Sequence, residues 1–130
     1  MSQHSPSDYE RFDLPPRPPD AVSGNAWLAA AGPLRPVSFA EAVALAEETM
    51  NRDAPEMMAV LCAAEAEFGW VFALQGVRYI QTRNFSDQLV GHGVTIVDRA
   101  TGSVYCSGSA TPLWGAVLRF LELREAQRAG

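Results

Sequence analysis

The stretch MMAVLCAAEAEFGWVFALQ, residues 57–75, decides the fold class of this chain. Its first part, residues 57–68, is long enough for one strand and ends by alternating apolar with charged residues, as half-buried strands do. Gly69 can make a turn, because glycine adopts backbone conformations that other residues avoid. Residues 70–75 are then the returning strand, so the segment predicts a β-hairpin.

A second hairpin follows this segment after a less regular stretch. Residues 94–98 and 103–107 are rich in β-branched and aromatic side chains and read as short strands. The tight connection between them, residues 98–102, offers Gly102 for a positive φ. The two hairpins together predict about four antiparallel strands.

Helix signals flank the two hairpins. Ser38 and Glu41 have the spacing of a capping box, and apolar residues recur at helical spacing over residues 39–51. Thr111 followed by Pro112 marks the start of a C-terminal helix. The chain is therefore predicted to be α+β, with an antiparallel sheet of about four strands packed against an N-terminal and a C-terminal helix on one face.

The N-terminal 37 residues differ in composition from the rest of the chain. They contain seven of the nine prolines, which exclude helix and interior strand over residues 13–20. We expect an extended arm, with a short helical turn over residues 25–31 whose Trp27 docks onto the body or onto a second chain. The predicted organisation is a Pro-rich extended arm, residues 1–37, followed by an α+β domain, residues 38–130.

The charge balance limits the classes of partner. The 130 residues carry fifteen carboxylates and ten arginines but no lysine, giving a formal charge of -5. Nucleic-acid binding is disfavoured, because affinity for phosphate backbones comes largely from cationic contacts. The sequence shows neither a secretory signal nor an apolar run long enough to span a membrane, so we expect a cytoplasmic protein without membrane contact.

Groups suited to catalysis are scarce. Cys62 and Cys106 lie in apolar, strand-like runs, where free cysteine behaves as a buried hydrophobe, and a bridge between them requires neighbouring strands. His4 lies in the arm, whereas His92 lies between two glycines and is either a turn residue or the centre of a small hydrolase. No metal-ligand spacing or phosphate loop is visible, so we predict no catalytic residue, no metal and no cofactor.

Two features have the character of a binding surface. Glu65 and Glu67 are predicted to lie on one side of a strand about 7 Å apart, a separation compatible with a glycosidase but more typical of a solvated strand face. Residues 76–92 mix arginines, aromatics and amides without a clean period, as interface segments do. The apolar residues of this segment either face a partner or pack into the core; they are Tyr79, Ile80, Phe85 and Leu89.

The C-terminal half resembles the immunity protein 35 family, whose members are also called YrhB-like. The resemblance rests on Gly69-Trp70-Val71-Phe72, Arg78-Tyr79-Ile80, residues 89–102 and Gly108-Ser109-Ala110-Thr111-Pro112-Leu113, and in outline covers residues 38–124. The chain departs from the family pattern at Gly91-His92-Gly93-Val94, where we expect Gly-Asn-x-Pro.

The resemblance implies a function without catalysis. Such proteins are predicted to neutralise a cognate toxin made by the same cell, and other YrhB-like members are linked to chaperone-type roles. We therefore expect a cytoplasmic, non-enzymatic bacterial immunity protein of a polymorphic toxin system whose partner is a protein toxin; the alternative is a chaperone-like or homo-oligomeric module, for instance a homodimer. The predicted partner-binding residues are Glu65, Glu67, Trp70, Tyr79, Arg83, Asn84, Asp87 and His92.

Overall fold

The computed structural model describes residues 9–52, 57–88 and 93–129, and these form an α+β fold around a mixed sheet. The sheet has six strands in the order β1-β3-β4-β5-β6-β2; β1 runs parallel to β3, and the other neighbouring strands are antiparallel. The elements are β1 (Glu10–Arg11), β2 (Ala26–Ala30), α1 (Phe39–Asn51), β3 (Met58–Ala66), β4 (Gly69–Gly76), α2 (Val77–Thr82), a 3-10 turn (Phe85–Asp87), β5 (Thr95–Asp98), β6 (Val104–Ser107) and α3 (Leu113–Ala129).

The structure contains the two predicted hairpins and the two helices that flank them. The capping box is present: the Ser38 hydroxyl accepts from the Glu41 amide at 3.2 Å, and the Glu41 carboxylate accepts from the Ser38 amide at 3.1 Å. Gly69 has a φ of 147°, and a Cβ there would collide with the Val97 carbonyl oxygen. Glycine is therefore required where β3 turns into β4.

The helices pack on opposite faces of the sheet, whereas the sequence analysis placed both on one face. One core joins α1 to the strand face that carries Trp70 and Phe72, with Phe39 in edge-to-face contact with both rings. A second core joins α3 to the opposite face, where Phe120 packs against Tyr105 at 4.9 Å between ring centroids. The helices lie on opposite faces because the central strands carry apolar side chains on both faces of the sheet, and each face must be covered.

The arm supplies both outer strands, so the sheet has six strands rather than about four and is mixed rather than antiparallel. The predicted helical turn over residues 25–31 is wrong: this segment is β2, paired antiparallel with β6 so that Trp27 lies opposite Cys106. Its alanines favour helix by only a few tenths of a kcal/mol each, and pairing with the available edge of β6 outweighs that preference.

Across the described ranges, no helix has the length and apolar character that crossing a membrane requires.

Candidate interaction surface

The helix α2 begins where β4 leaves the sheet. It ends at Arg83, whose φ of 56° places a non-glycine residue in the left-handed region, and the Arg83 amide donates to the Tyr79 carbonyl at 2.6 Å. A left-handed residue stops a helix by turning the chain sharply. The polypeptide therefore reverses at Arg83 and leads directly into the 3-10 turn.

The 3-10 turn is held by short side-chain hydrogen bonds. The Asn84 carboxamide accepts from the Ser86 amide at 3.1 Å, and the Thr82 hydroxyl donates to the Asp87 carboxylate at 2.7 Å. The same hydroxyl accepts from the Asn84 amide at 3.2 Å. These bonds fix the turn in the manner of a helix cap, and they leave Phe85 at its tip with 81% of its surface exposed.

Arg83 connects this turn to the arm and to α2. Its guanidinium lies 3.6 Å from the Glu10 carboxylate, and its Nε donates to the Ile80 carbonyl at 3.2 Å. The same group lies 5.8 Å from the centre of the Tyr79 ring, within the range of a cation–π contact. Four of the predicted partner-binding residues are thus brought together within one short segment: Tyr79, Arg83, Asn84 and Asp87.

Two further residues belong to this surface but were not among the predicted site residues. Phe85 is one, and Met57 is the other: it is exposed, and its carbonyl accepts from the Val77 amide at 2.9 Å. We define the α2 surface as Met57 together with residues 77–87. A sequence signal for Phe85 existed, because an aromatic residue enclosed by turn-forming Asn84, Ser86 and Asp87 has little chance of reaching a core.

The predicted acidic residues lie elsewhere, around the turn between β3 and β4. Glu65 accepts from the Arg99 guanidinium at 2.9 Å, and the same guanidinium lies 4.4 Å from the Trp70 ring centre. Trp70 itself is only 2% exposed and lies in the core. Glu67 lies past the end of β3, in the turn, and lines a groove of about 280 Å³ that also contains Arg99 and Arg124.

The α2 surface and the acidic residues do not form one patch. The β3–β4 turn and α2 lie at opposite ends of β4, which spans Gly69–Gly76 and is therefore on the order of 25 Å long. Glu65 also has an intramolecular cationic partner in Arg99. His92 lies outside the described residues, so the predicted set divides into the α2 group, the Glu65–Glu67 group, the buried Trp70 and a position without structural description.

The cysteines lie far apart in the sheet. Cys62 is on β3 and Cys106 is on β6, with β4 and β5 between them, so the neighbouring strands that a disulfide needs are not the strands that carry them. Burial raises the pKa of both thiols, and the nearby Glu10 carboxylate raises the pKa of Cys62 further. A raised pKa disfavours the thiolate, which is the nucleophilic form. Among the described residues, no three metal-binding side chains cluster.

Comparison with known proteins gives one family. The family model described as immunity protein 35 matches residues 40–117, which run from α1 through both hairpins into α3. Neither curated proteins nor solved structures gave a match. The matched segment covers more than half of the chain and includes the four central strands of the sheet, and the chain therefore belongs to the immunity protein 35 family.

Proposed function

We propose that this protein binds a cognate protein toxin and neutralises it by covering the toxin's functional surface, without catalysis of its own. Membership in an immunity protein family supports a toxin as the partner. Occlusion requires only a complementary patch that excludes water, so no assembled active site is needed. A cytoplasmic location and a bacterial polymorphic toxin system are part of this proposal.

The single observation that carries the choice of surface is Phe85. A phenylalanine with 81% of its surface in water gains little from burial on folding, yet the turn that presents it is held by three hydrogen bonds. Burying such a side chain against a partner gains about 2 kcal/mol or more. A rigid turn also loses little conformational entropy on binding, which favours affinity.

The neighbouring polar groups suit the same role. Arginine and tyrosine are enriched at the centres of protein interfaces, and Arg83 and Tyr79, which contact each other, lie two and six residues before Phe85 in the chain. Asn84 and Asp87 act indirectly, because their side chains hold the turn. We therefore assign contact with the toxin to Phe85, Arg83 and Tyr79, and support of the turn to Asn84 and Asp87. The Glu65–Glu67 group and His92 remain predicted contacts.

The experiment uses the cognate toxin domain, which is to be sought in the genes beside this one, expressed in a host with or without the immunity protein. Phe85→Ser should weaken the purified complex by at least about 30-fold, the loss typical of an interface hot spot, and should abolish protection of the host. Val22→Ser is the matched control, because Val22 is an apolar residue of similar exposure, 76% against 81%, but lies on the arm. Equal affinity of the two variants for the toxin would reject the α2 surface.

A second candidate function is a homo-oligomeric or chaperone-like interaction module, and the exposure of Trp27 and Leu28 on the outer strand β2 favours it. Sedimentation of the full chain distinguishes the two functions. A stable oligomer that shows no binding to the toxin supports the module; a monomer that forms a 1:1 complex with the toxin supports immunity.

A further inference from the structure

Residues 15–19 of the arm are a run of four prolines and one arginine, PPRPP, which lies outside the α2 surface. All five residues are exposed, and residues 12–18 belong to neither helix nor strand. Each proline fixes its own φ at about −65°, and a proline also holds the residue before it in an extended conformation. Because each residue of the run is a proline or precedes one, the run is held in the polyproline II conformation, which needs no internal hydrogen bonds.

Both sides of this run are attached to α3. The Trp114 indole donates to the Pro15 carbonyl at 2.7 Å, at the first residue of the run. Beyond its last residue, the Gly24 amide donates to the Gly115 carbonyl at 2.9 Å. The run is therefore a stiff segment held at the surface by contacts on either side of it. A segment that is already rigid loses little conformational entropy when a partner binds it.

The prolines and carbonyls of the run are arranged by its three-residue repeat. This repeat places Pro16 and Pro19 on one side of the segment, about 9 Å apart. The Pro15 and Pro18 carbonyls are bonded within the chain, the second by the turn that ends the run. Between them, the Pro16 and Arg17 carbonyls accept no hydrogen bond from any described residue. The run thus offers solvent a pair of proline rings and two carbonyl acceptors.

A second segment of the arm has the same spacing of prolines but a different structure. This segment is Pro33-Leu34-Arg35-Pro36, and its prolines are also exposed. Leu34 has a φ of 62°, and its amide donates to the Thr101 carbonyl at 2.9 Å. A left-handed residue between the two prolines interrupts the polyproline II repeat. Of the two segments, only residues 15–19 present their prolines on one continuous side.

We propose that residues 15–19 are a recognition segment for another protein, one that binds proline-rich chains in a groove lined by aromatic side chains. Grooves of this kind take a preformed polyproline II segment whose prolines are three residues apart. Pro16 and Pro19 supply the rings, and the Pro16 and Arg17 carbonyls accept from tyrosine hydroxyls or tryptophan indoles of the groove. The segment shares no residue with the α2 surface, so the proposal does not depend on the toxin.

The test measures binding of the full chain to a panel of purified SH3, WW and EVH1 domains, which have grooves of this kind. We expect at least one domain of the panel to bind. Pro16→Ala and Pro19→Ala should each weaken that binding by about 10-fold, because each removes a ring from the groove. Pro33→Ala and Pro36→Ala are the matched controls, since they remove exposed prolines of the same spacing, and they should leave the affinity unchanged.

Nuclear magnetic resonance locates the contact independently. Arg17 carries the only backbone amide hydrogen of residues 15–19, because the other four residues are prolines. We expect its amide signal to shift when the binding domain is added, and the Arg35 amide signal to stay in place. Absence of binding by every domain of the panel overturns the proposal and identifies the run as a stiff spacer along α3. Equal losses of affinity from Pro16→Ala and Pro33→Ala also overturn it.

Discussion

The hairpin core and the N-terminal arm contribute to one sheet in different ways. In the core, β3 pairs with β4 and β5 with β6, so each strand meets its neighbour in sequence. In the arm, β1 and β2 pair with strands far along the chain: Glu10 lies opposite Cys62, and Trp27 opposite Cys106. Pairing at such separation costs more loop entropy than a hairpin does, so the arm strands need an already formed sheet.

The two regions also differ in how they are buried. The core strands β4, β5 and β6 are buried on both faces between α1 and α3. The arm is attached by separate contacts, among them the hydrogen bond from the Trp114 indole to the Pro15 carbonyl at 2.7 Å and that from the Gly24 amide to the Gly115 carbonyl at 2.9 Å. The comparison predicts that changes in the core are severe and that changes in the arm are graded.

The largest effect is expected in the core. Phe72 is fully buried on β4 and contacts the Phe39 ring at 6.0 Å between centroids. Phe72→Ala should lower the free energy of unfolding by about 3–5 kcal/mol, because the lost transfer energy and the cavity add. Denaturant unfolding followed by circular dichroism measures the change.

The arm supplies the control for that measurement. Trp27 is of comparable size but 46% exposed, so Trp27→Ala leaves no enclosed cavity and should cost only about 1 kcal/mol. A loss of stability from Trp27→Ala that equals the loss from Phe72→Ala would contradict the distinction between core and arm.

Removal of the arm is expected to have the next largest effect. A chain that begins at residue 38 loses both outer strands and the hydrogen bond from the Val37 amide to the Arg99 carbonyl. We expect it to retain α1 and both hairpins by circular dichroism, with the free energy of unfolding lowered by about 2–3 kcal/mol, roughly 10–20 °C in Tm for a domain of this size. Bare edges of β3 and β6 should also promote self-association.

This truncation tests the predicted division at residue 37 directly. A chain of residues 38–130 that is unfolded at every temperature would show that the arm is part of the domain. Unchanged stability would show instead that the two outer strands contribute nothing to the free energy of unfolding.

The part of the fold that the sequence could predict is the hairpin core rather than the arm. The hairpins and α1 were predictable because turns, caps and periodicity act between near neighbours, as at Gly69 and between Ser38 and Glu41. The strand β2 was not, since an alanine-rich segment becomes a strand only where another strand offers an edge. Placement of the helices on opposite faces depended on reading β4 as buried on both sides rather than one.

The candidate surface shows the same limit. Tyr79, Arg83, Asn84 and Asp87 were predicted as one group because they are close in sequence, and they are close in the structure. Glu65 was added to that group by charge alone, and its place depends on Arg99, a long-range neighbour that no local pattern reveals. Sequence reasoning therefore found local members of the surface and missed the separation between groups.

A smaller effect is expected at the junction of arm and core. The Ser38 hydroxyl caps α1 immediately after the arm ends. Ser38→Ala should lower the free energy of unfolding by about 1 kcal/mol, the usual cost of losing an N-cap. Ser38→Thr is the matched control, because threonine restores an acceptor at the same place and should recover most of the loss. Equal stabilities of Ser38→Ala and Ser38→Thr would show that the cap is not what stabilises this end of α1.

The smallest effect depends on pH and links the arm to α1 through one ion pair. The Arg35 guanidinium donates to the Glu41 carboxylate at 2.8 Å, and this bond, together with the bond from the Ser38 amide, holds the pKa of Glu41 below its ordinary value of 4.5. A carboxyl group whose pKa is lower in the folded state adds stability above its unfolded pKa and loses it as pH falls through the folded value. The stability difference between wild type and Glu41→Gln should therefore be largest near neutral pH and shrink below about pH 4.5.

Two controls separate the contribution of Arg35 from that of Ser38. Both side chains of the ion pair are exposed, so 0.5 M salt should reduce the part of the stability difference that is due to Arg35. Arg35→Gln should show the same pH trend with a smaller amplitude, because the bond from the Ser38 amide to Glu41 remains. A difference that stays constant from pH 7 to pH 3 would show that Glu41 acts on α1 without its charge, and that the arm and the core are not coupled through this pair.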